Sequence, residues 1–278
     1  MESRLIHFAN YNGVMDDIIP LIRSSSLEEA EVLLLWQDVS SAYAQVIDFA
    51  KSQGKEIILM THCYASCNDY LPPHSHLSLA DKVLVWGMAD YSLALQAGIA
   101  HKTIITGTPI FSHKKERQKQ DKLTVVFCPS RNESAVETNK QVTEALSKLD
   151  AHVFTKLTRE QEGFLNPVVT KQGEMRHVDV CFDLISKADV VVVTDPTSTF
   201  ALFAFSCDVP VIYVPSEHNY YYLNNFLLSG QYQCAPDELE KTITEVLEKD
   251  TLHNQRMLWA DYCGAFINNP IESILKEL

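Results

Sequence analysis

Short apolar runs separated by segments of helical period recur along this chain, and that alternation restricts its fold more than any other feature. In the first half the runs fall at 5–8, 32–36, 56–60, 82–86 and 103–106. Between them apolar residues return at helical spacing, as Ala44, Val46, Ile47 and Ala50 do within 42–52. A second such segment, 91–97, stops at Gly98, the residue type favoured just past a helix end. Strand, helix and strand in regular succession is the pattern of a parallel sheet covered by helices. Five runs suffice for one small sheet.

The charged, glycine-free stretch 113–122 interrupts this pattern, which then starts afresh, so the domain boundary is placed there. The second half predicts strands at 123–128, 152–155, 190–193 and 211–214, the last closing the sheet. It predicts helices at 133–149, 181–187 and 199–206, and two more, 236–249 and 252–266, to finish the chain. The expected architecture is α/β, with two Rossmann-like lobes spanning residues 1–115 and 116–278 and parallel sheets flanked by helices. With 278 residues, each lobe can bury a core of its own.

Composition narrows the functions open to such a chain. At 46% hydrophobic and 21% charged residues, it has the balance of a folded protein. No apolar stretch approaches the roughly 20 residues of a membrane span, and the N-terminus lacks the pattern of a secretory signal, so a cytoplasmic protein is expected. The net charge of −13, from 36 acidic and 23 basic residues, disfavours nucleic acid as a partner. The basic residues cluster only at Lys114, Lys115, Arg117, Lys119 and Lys122, read as a solvated linker or as a patch for acidic lipid or substrate. Seven cysteines, with Cys128, Cys181 and Cys207 in or beside apolar segments, argue for free thiols and against a disulfide framework. Cys63 and Cys67 near His62, His74 and His76 match no closed zinc spacing, so neither metal nor cofactor is expected.

In open parallel sheets, ligands bind outside the carboxyl ends of the strands, which directs attention to three turns. After the run ending at Cys128, Ser130 and Glu133 have the spacing of a capping box, with Arg131 between them. This is either an ordinary capped helix or a diphosphate site made of amides and a guanidinium. After the four valines 190–193, Asp195, Thr197, Ser198 and Thr199 precede a helix so apolar that it must be buried. Their hydroxyl and amide groups are either simple caps or phosphate donors. After Met60, His62 is either a hydrogen-bonded strand-end residue or an acid or base for a hydroxyl or a leaving phosphate. Asp69, in the polar loop that follows, could orient it. Glu217 and His218, beyond the last strand, are candidates for sugar contacts.

Several of these segments share a pattern. The series Ala188-Asp189-Val190, Thr194-Asp195-Pro196-Thr197-Ser198-Thr199, Ala204 and Asp208-Val209-Pro210-Val211-Ile212-Tyr213 resembles the signature of the C-terminal lobe of GT-B proteins. It is similar in particular to CDP-glycerol glycerophosphotransferase-like and UDP-N-acetylglucosamine 2-epimerase-like enzymes. Val83 to Gly87, Ala97-Gly98-Ile99 and Ile104 to Pro109 resemble the end of their first lobe. Cys128-Pro129-Ser130-Arg131 is similar to the P-T-W-R turn of the glycerophosphotransferases.

The resemblance covers residues 56–215 and implies an acceptor-side first lobe, a nucleotide-donor second lobe and a working site in the cleft between them. It implies a metal-independent glycosyltransferase-like transfer of a sugar or polyol phosphate from a nucleotide-activated donor. His62 would be catalytic, and Ser130, Arg131, Asp195, Thr197, Ser198 and Thr199 would hold the diphosphate. Cys63-Tyr64-Ala65-Ser66 stands where the epimerases carry Val-Glu-Ala-Gly, so their catalytic carboxylate is missing at that position. The glycerophosphotransferases would have His-Gly-Thr there. Two rival readings stay open: an epimerase or hydrolase of the same fold, and a non-catalytic protein that binds nucleotide sugars or serves as a scaffold.

Overall fold

The structure is a computed structural model and describes residues 4–9, 17–36, 41–61, 79–170, 177–195, 198–216 and 229–278. His62, Thr197, Glu217 and His218 lie outside the described residues, as do Cys63, Cys67, Asp69, His74 and His76. The chain divides into two compact units, one of residues 1–110 with 261–278 and one of residues 111–260.

The first unit holds β1 (Leu5–Ala9), β2 (Arg23–Ser24), β3 (Val32–Trp36), β4 (Glu56–Met60), β5 (Lys82–Val85) and β6 (Thr103–Ile105). They form a parallel sheet in the order β2-β1-β3-β4-β5-β6. Alternation along the strands sends Leu33, Leu35, Ile57, Leu59, Val83 and Val85 to one face, against Ile47 and Ala50 of α1 (Ser41–Ser52) and Ala94 of α2 (Met88–Gln96). Val32, Leu34, Trp36, Ile58, Met60 and Leu84 point the other way. With both faces covered, the strands read as continuous apolar runs, which made them easy to find. Gly98, past α2, has a φ of +74°, a left-handed conformation that glycine adopts without strain.

The second unit repeats the plan with β7 (Thr124–Cys128), β8 (His152–Leu157), β9 (Pro167–Val169), β10 (Val190–Val193), β11 (Val211–Tyr213) and β12 (Tyr232–Gln233). The order is β12-β11-β10-β7-β8-β9, again all parallel. Residues 211–214 therefore do not close the sheet, because β12 pairs outside β11. The helices are α3 (Val136–Ser147), α4 (His177–Lys187), α5 (Thr199–Ser206), α6 (Leu239–Glu248) and α7 (His253–Tyr262). Val142 and Leu146 of α3 and Leu239, Ile243 and Val246 of α6 cover one face, while α4 and α5 pack on each other beside the opposite one. Phe182 of α4 meets Phe203 of α5 with ring centroids 5.1 Å apart.

The division differs from a single break after residue 115. Contacts separate Ile110 from Phe111, and residues 261–278 return to the first unit, where a third terminal helix, α8 (Pro270–Glu277), was not foreseen. Ile274 of α8 is fully buried among Ile6, Val32, Leu34, Ile58 and Leu84. The return requires a backbone crossing of two glycines: a Cβ on Gly87 would lie 2.5 Å from the Gly264 nitrogen, and one on Gly264 would overlap the Trp86 carbonyl oxygen. The basic stretch belongs to the second unit and is largely neutralised there. Lys115 pairs with Asp183, Arg117 with Asp189 and Lys122 with Asp150.

Candidate functional site

Within the second sheet the strand order reverses between β7 and β10: β8 and β9 lie outward on one side, β11 and β12 on the other. Ligands of open α/β sheets bind outside the carboxyl ends of the strands at such a switch point. The turns following β7 and β10 are the two singled out above, and the structure ties them together. The Ser130 amide donates to Thr194 Oγ1 at 2.7 Å, and the Thr194 hydroxyl donates to Asn139 Oδ1 at 2.6 Å. Asn139 Nδ2 donates back to the Ser130 carbonyl at 2.9 Å. Thr194 and Asn139 are buried, so this ring of three hydrogen bonds fixes the Ser130 peptide at both ends and leaves the next side chain, Arg131, exposed beside it.

The Ser130 and Glu133 capping box does not form. Ser130 Oγ instead accepts from the Asn132 amide at 3.2 Å, and Asn132 Oδ1 accepts from the Ser134 amide at 3.1 Å. Asn132 is thus the cap, of a short turn at Glu133–Ala135 that leads into α3. The Ser130, Asn132 and Ser134 amides are all engaged, so the ligand-binding capacity of this turn rests on Arg131 more than on free amides.

Across the switch point, Ser198 is the N-cap of α5. Its carbonyl accepts from the Ala201 amide at 2.9 Å, its own amide donates to the Asp195 carbonyl at 3.2 Å, and its side chain makes no cap bond. Ser198 Oγ lies 3.9 Å from Cys128 Sγ, which brings the end of β7 against the start of α5. Helix α5 is buried from Phe200 to Ser206, so only its N-terminal end, with the partial positive charge of such ends, faces outward.

Two residues not singled out from the sequence, Lys156 and His177, stand in the same electrostatic neighbourhood as Cys128 and Arg131. Lys156, on β8, is only 8% exposed. The ladder pairs Phe127 with Thr155, and one step further along it stand Cys128 and Lys156. The Lys156 Nζ lies 5.8 Å from the centroid of Phe200, in the first turn of α5. Among the described residues no carboxylate pairs with it and no acceptor takes its hydrogen bonds. A cation–π contact contributes about 0.5 to 2 kcal/mol and leaves the ammonium without a counter-ion. His177 opens α4, with Nε2 at 3.9 Å from Cys181 Sγ and a buried Nδ1 that has no partner among the described residues.

The electrostatics follow from this packing. Burial, then repulsion from Lys156 and Arg131, lowers the His177 imidazole to about 4. Burial raises the Cys181 thiol to about 12 and the Cys128 thiol above its usual range, with Lys156 pulling both back. Tyr213, ending β11, is raised to about 12 by burial and by the charge of Asp195. The thiols, the phenol and the imidazole are therefore neutral at physiological pH. Lys156 had a visible signal: it shares a strand face with Phe154, where the alternation calls for an apolar residue. His177 had one too, standing four residues before Cys181 on the buried stripe of α4.

Elsewhere in the unit, Asp208, Asp250 and His253 come close enough to suggest a metal site, but Arg256 occupies it. Its Nη2 lies 2.9 Å from Asp208 and 2.5 Å from Asp250, which makes the group an ion-pair cluster of one buried guanidinium and two solvent-reaching carboxylates.

No family model and no curated protein matches the sequence. Solved structures do match. A Listeria monocytogenes protein named for UDP-N-acetylglucosamine 2-epimerase superposes with a TM-score of 0.63 at 15% identity, over 94% of this chain and 76% of its own. The wall teichoic acid polymerase TagF, soaked with CDPG, gives 0.62 at 10% identity over 99% and 87%. The UDP-GlcNAc 2-epimerase of Neisseria meningitidis, bound to UDP-GlcNAc, gives 0.60 at 13% identity over 95% and 79%. The chain has the GT-B fold. At these identities the likeness is one of fold, and GT-B architecture supports many reactions, so function has to be argued from the site. Within that architecture, the second unit holds the switch point lined by Arg131, Ser198 and Thr199. Among the described residues, no helix is long and apolar enough to cross a membrane.

Proposed function

We propose that the second unit binds a nucleotide-activated sugar or polyol through its diphosphate, and that the protein transfers the activated group to an acceptor without a metal. The observation that carries this reading is the hydrogen-bonded ring of Ser130, Thr194 and Asn139, which presents Arg131 at the switch point opposite the N-terminal end of α5. A guanidinium and a helix end facing one crevice suit a diphosphate, since both stabilise charge that builds on a leaving nucleotide. Ser198 and Thr199 supply hydroxyl groups there, and Thr197 stands next to them in sequence. Asp195 and Ser130 shape the turns, His62 serves as acid or base, and Glu217 and His218 contact the sugar. The GT-B fold of proteins named for nucleotide sugars and CDPG supports the choice of donor class.

A thermal-shift screen against UDP, CDP, GDP, dTDP and CMP in the presence of EDTA tests the reading. A ligand at one hundred times its Kd adds about 2.7 kcal/mol of stability. Arg131→Ala should weaken binding of the nucleotide that scores by about 1.5 to 3 kcal/mol, the worth of a hydrogen bond to a charged group. Absence of any shift, or unchanged affinity in the variant, rejects this site. Turnover of donor without acceptor would instead identify a hydrolase or epimerase. Binding that survives His62→Ala, with no product from either protein, would identify a scaffold.

A further inference from the structure

We propose that Lys156 is the innermost anion-binding group of the second unit, a largely buried residue whose ammonium takes a phosphate oxygen of the ligand as its counter-ion, with His177 Nδ1 as a second donor. This inference rests on the donor-binding reading and adds two ligand-binding residues to it.

The argument begins with what Lys156 lacks. The residue is only 8% exposed, and no carboxylate and no hydrogen-bond acceptor meets its Nζ among the described residues. Its contact is the ring of Phe200, which cannot neutralise an ammonium. The ionisable neighbours cannot either: the Cys128 and Cys181 thiols are kept protonated by burial, and the His177 imidazole is kept neutral. The fold therefore holds, at the carboxyl edge of the sheet, a lysine with no protein counter-ion among the described residues, which a ligand anion can complete.

Location identifies the ligand. Lys156 lies one ladder step from Cys128, at the carboxyl edge of the sheet and under the first turn of α5. An anion touching Nζ there would also meet the helix end, and Arg131 acts on the same cluster, since its charge reaches both Cys128 and His177. A neutral imidazole between two cations can donate from Nδ1 to a phosphate oxygen without adding a third charge. A tetrahedral oxyanion has enough oxygens to accept from all of these donors, so the chemical class is a phosphate or diphosphate.

Lys156→Met keeps the length and apolar stem of the side chain and removes its charge. Isothermal titration of wild type and variant with pyrophosphate and with UDP, in EDTA, is read together with the unfolding midpoint of each protein without ligand. The expected result is a midpoint close to wild type, because no protein partner of the ammonium is lost, together with a loss of pyrophosphate affinity of about tenfold or more. A lowered midpoint with unchanged affinity would make Lys156 structural and overturn the proposal. If pyrophosphate binds in a Lys156-dependent way and no nucleoside diphosphate binds more tightly, the anion site stands and the nucleotide-donor reading falls. If wild type binds neither probe, both fall. Should K156M fail to fold, the test moves to wild type: saturating pyrophosphate must protect Lys156 from reductive methylation, read by peptide mass spectrometry, and an unprotected Lys156 refutes the assignment.

Discussion

His177 is opposed in its charged form by burial first and then by Lys156 and Arg131, and it is held down to about 4. In an unfolded chain an imidazole titrates near 6.5, so between these values the unfolded state carries a proton that the folded state does not. Stability must then rise with pH across that interval, and the contribution present above about 6.5 is fully lost once pH has fallen to about 4. Its size is at most about 3 kcal/mol, from the worth of one pKa unit. His177→Phe should flatten the pH dependence of the urea midpoint between pH 4 and 6.5, and an unchanged slope would show that the imbalance lies elsewhere. Below that window, carboxylates take over. Asp250, held at about 2 chiefly by its hydrogen bond to Arg256, contributes stability above about pH 4 that fades as pH falls towards 2. The sequence makes Arg131 and Ser198 legible as candidate site residues because they follow strand ends. It gives Lys156 only the weak signal of a face shared with Phe154, because a lysine is ordinarily solvated and the burial of β8 between β7 and β9 is tertiary.

At the scale of elements, the strands buried on both faces are readable from sequence within about a residue, since apolar content alone marks them. Three strands escape: Arg23–Ser24, Pro167–Val169 and Tyr232–Gln233 lie at or next to sheet edges, are two or three residues long and carry no alternation. The start of α3 is misread for a different reason. Ser130 has the spacing of a cap, but its peptide is already claimed by Thr194 and Asn139, so the capping role passes to Asn132. The glycines of the backbone crossing give the sharpest prediction at this scale. Gly264 has a φ of +83°, and a Cβ there would run into the Trp86 carbonyl, whereas Gly54 has a φ of +70° with open space around it. Gly54→Ala should therefore carry only the left-handed conformational penalty, about 1 to 2 kcal/mol. Gly264→Ala adds a backbone collision to the same penalty and should lose about 3 kcal/mol or more. Chemical denaturation of the two variants checks the difference, and equal losses would mean that the crossing relaxes freely.

For the whole molecule, the consequence of the fold is that one unit is continuous in sequence and the other is not. Residues 111–260 contain all six strands of their sheet and the Arg256, Asp208 and Asp250 cluster. Residues 1–110 contain a complete sheet as well, but its Ile6, Leu34, Ile58 and Leu84 face is sealed by Ile274 of α8. The tail is also held at the sheet ends. Lys82 Nζ lies 3.2 Å from Glu277 and donates to its carbonyl at 3.1 Å, and Arg4 donates to the Leu278 carbonyl at 3.3 Å. These exposed or half-exposed polar contacts add little on their own. Burial of Ile274 is worth about 1.5 to 3 kcal/mol, and removing the tail uncovers further apolar surface on the partners it covers. Against a total stability of about 5 to 15 kcal/mol, that loss is large. The fragment 111–260 should accordingly fold alone, with a single cooperative urea transition. The fragment 1–110 should expose apolar surface and bind a hydrophobic dye, while 1–110 joined through a flexible linker to 261–278 should recover a cooperative transition. If 1–110 unfolds as cooperatively without the tail as with it, the terminal helix covers a face that is already stable, and the division of the chain into a continuous and a discontinuous unit carries no energetic meaning.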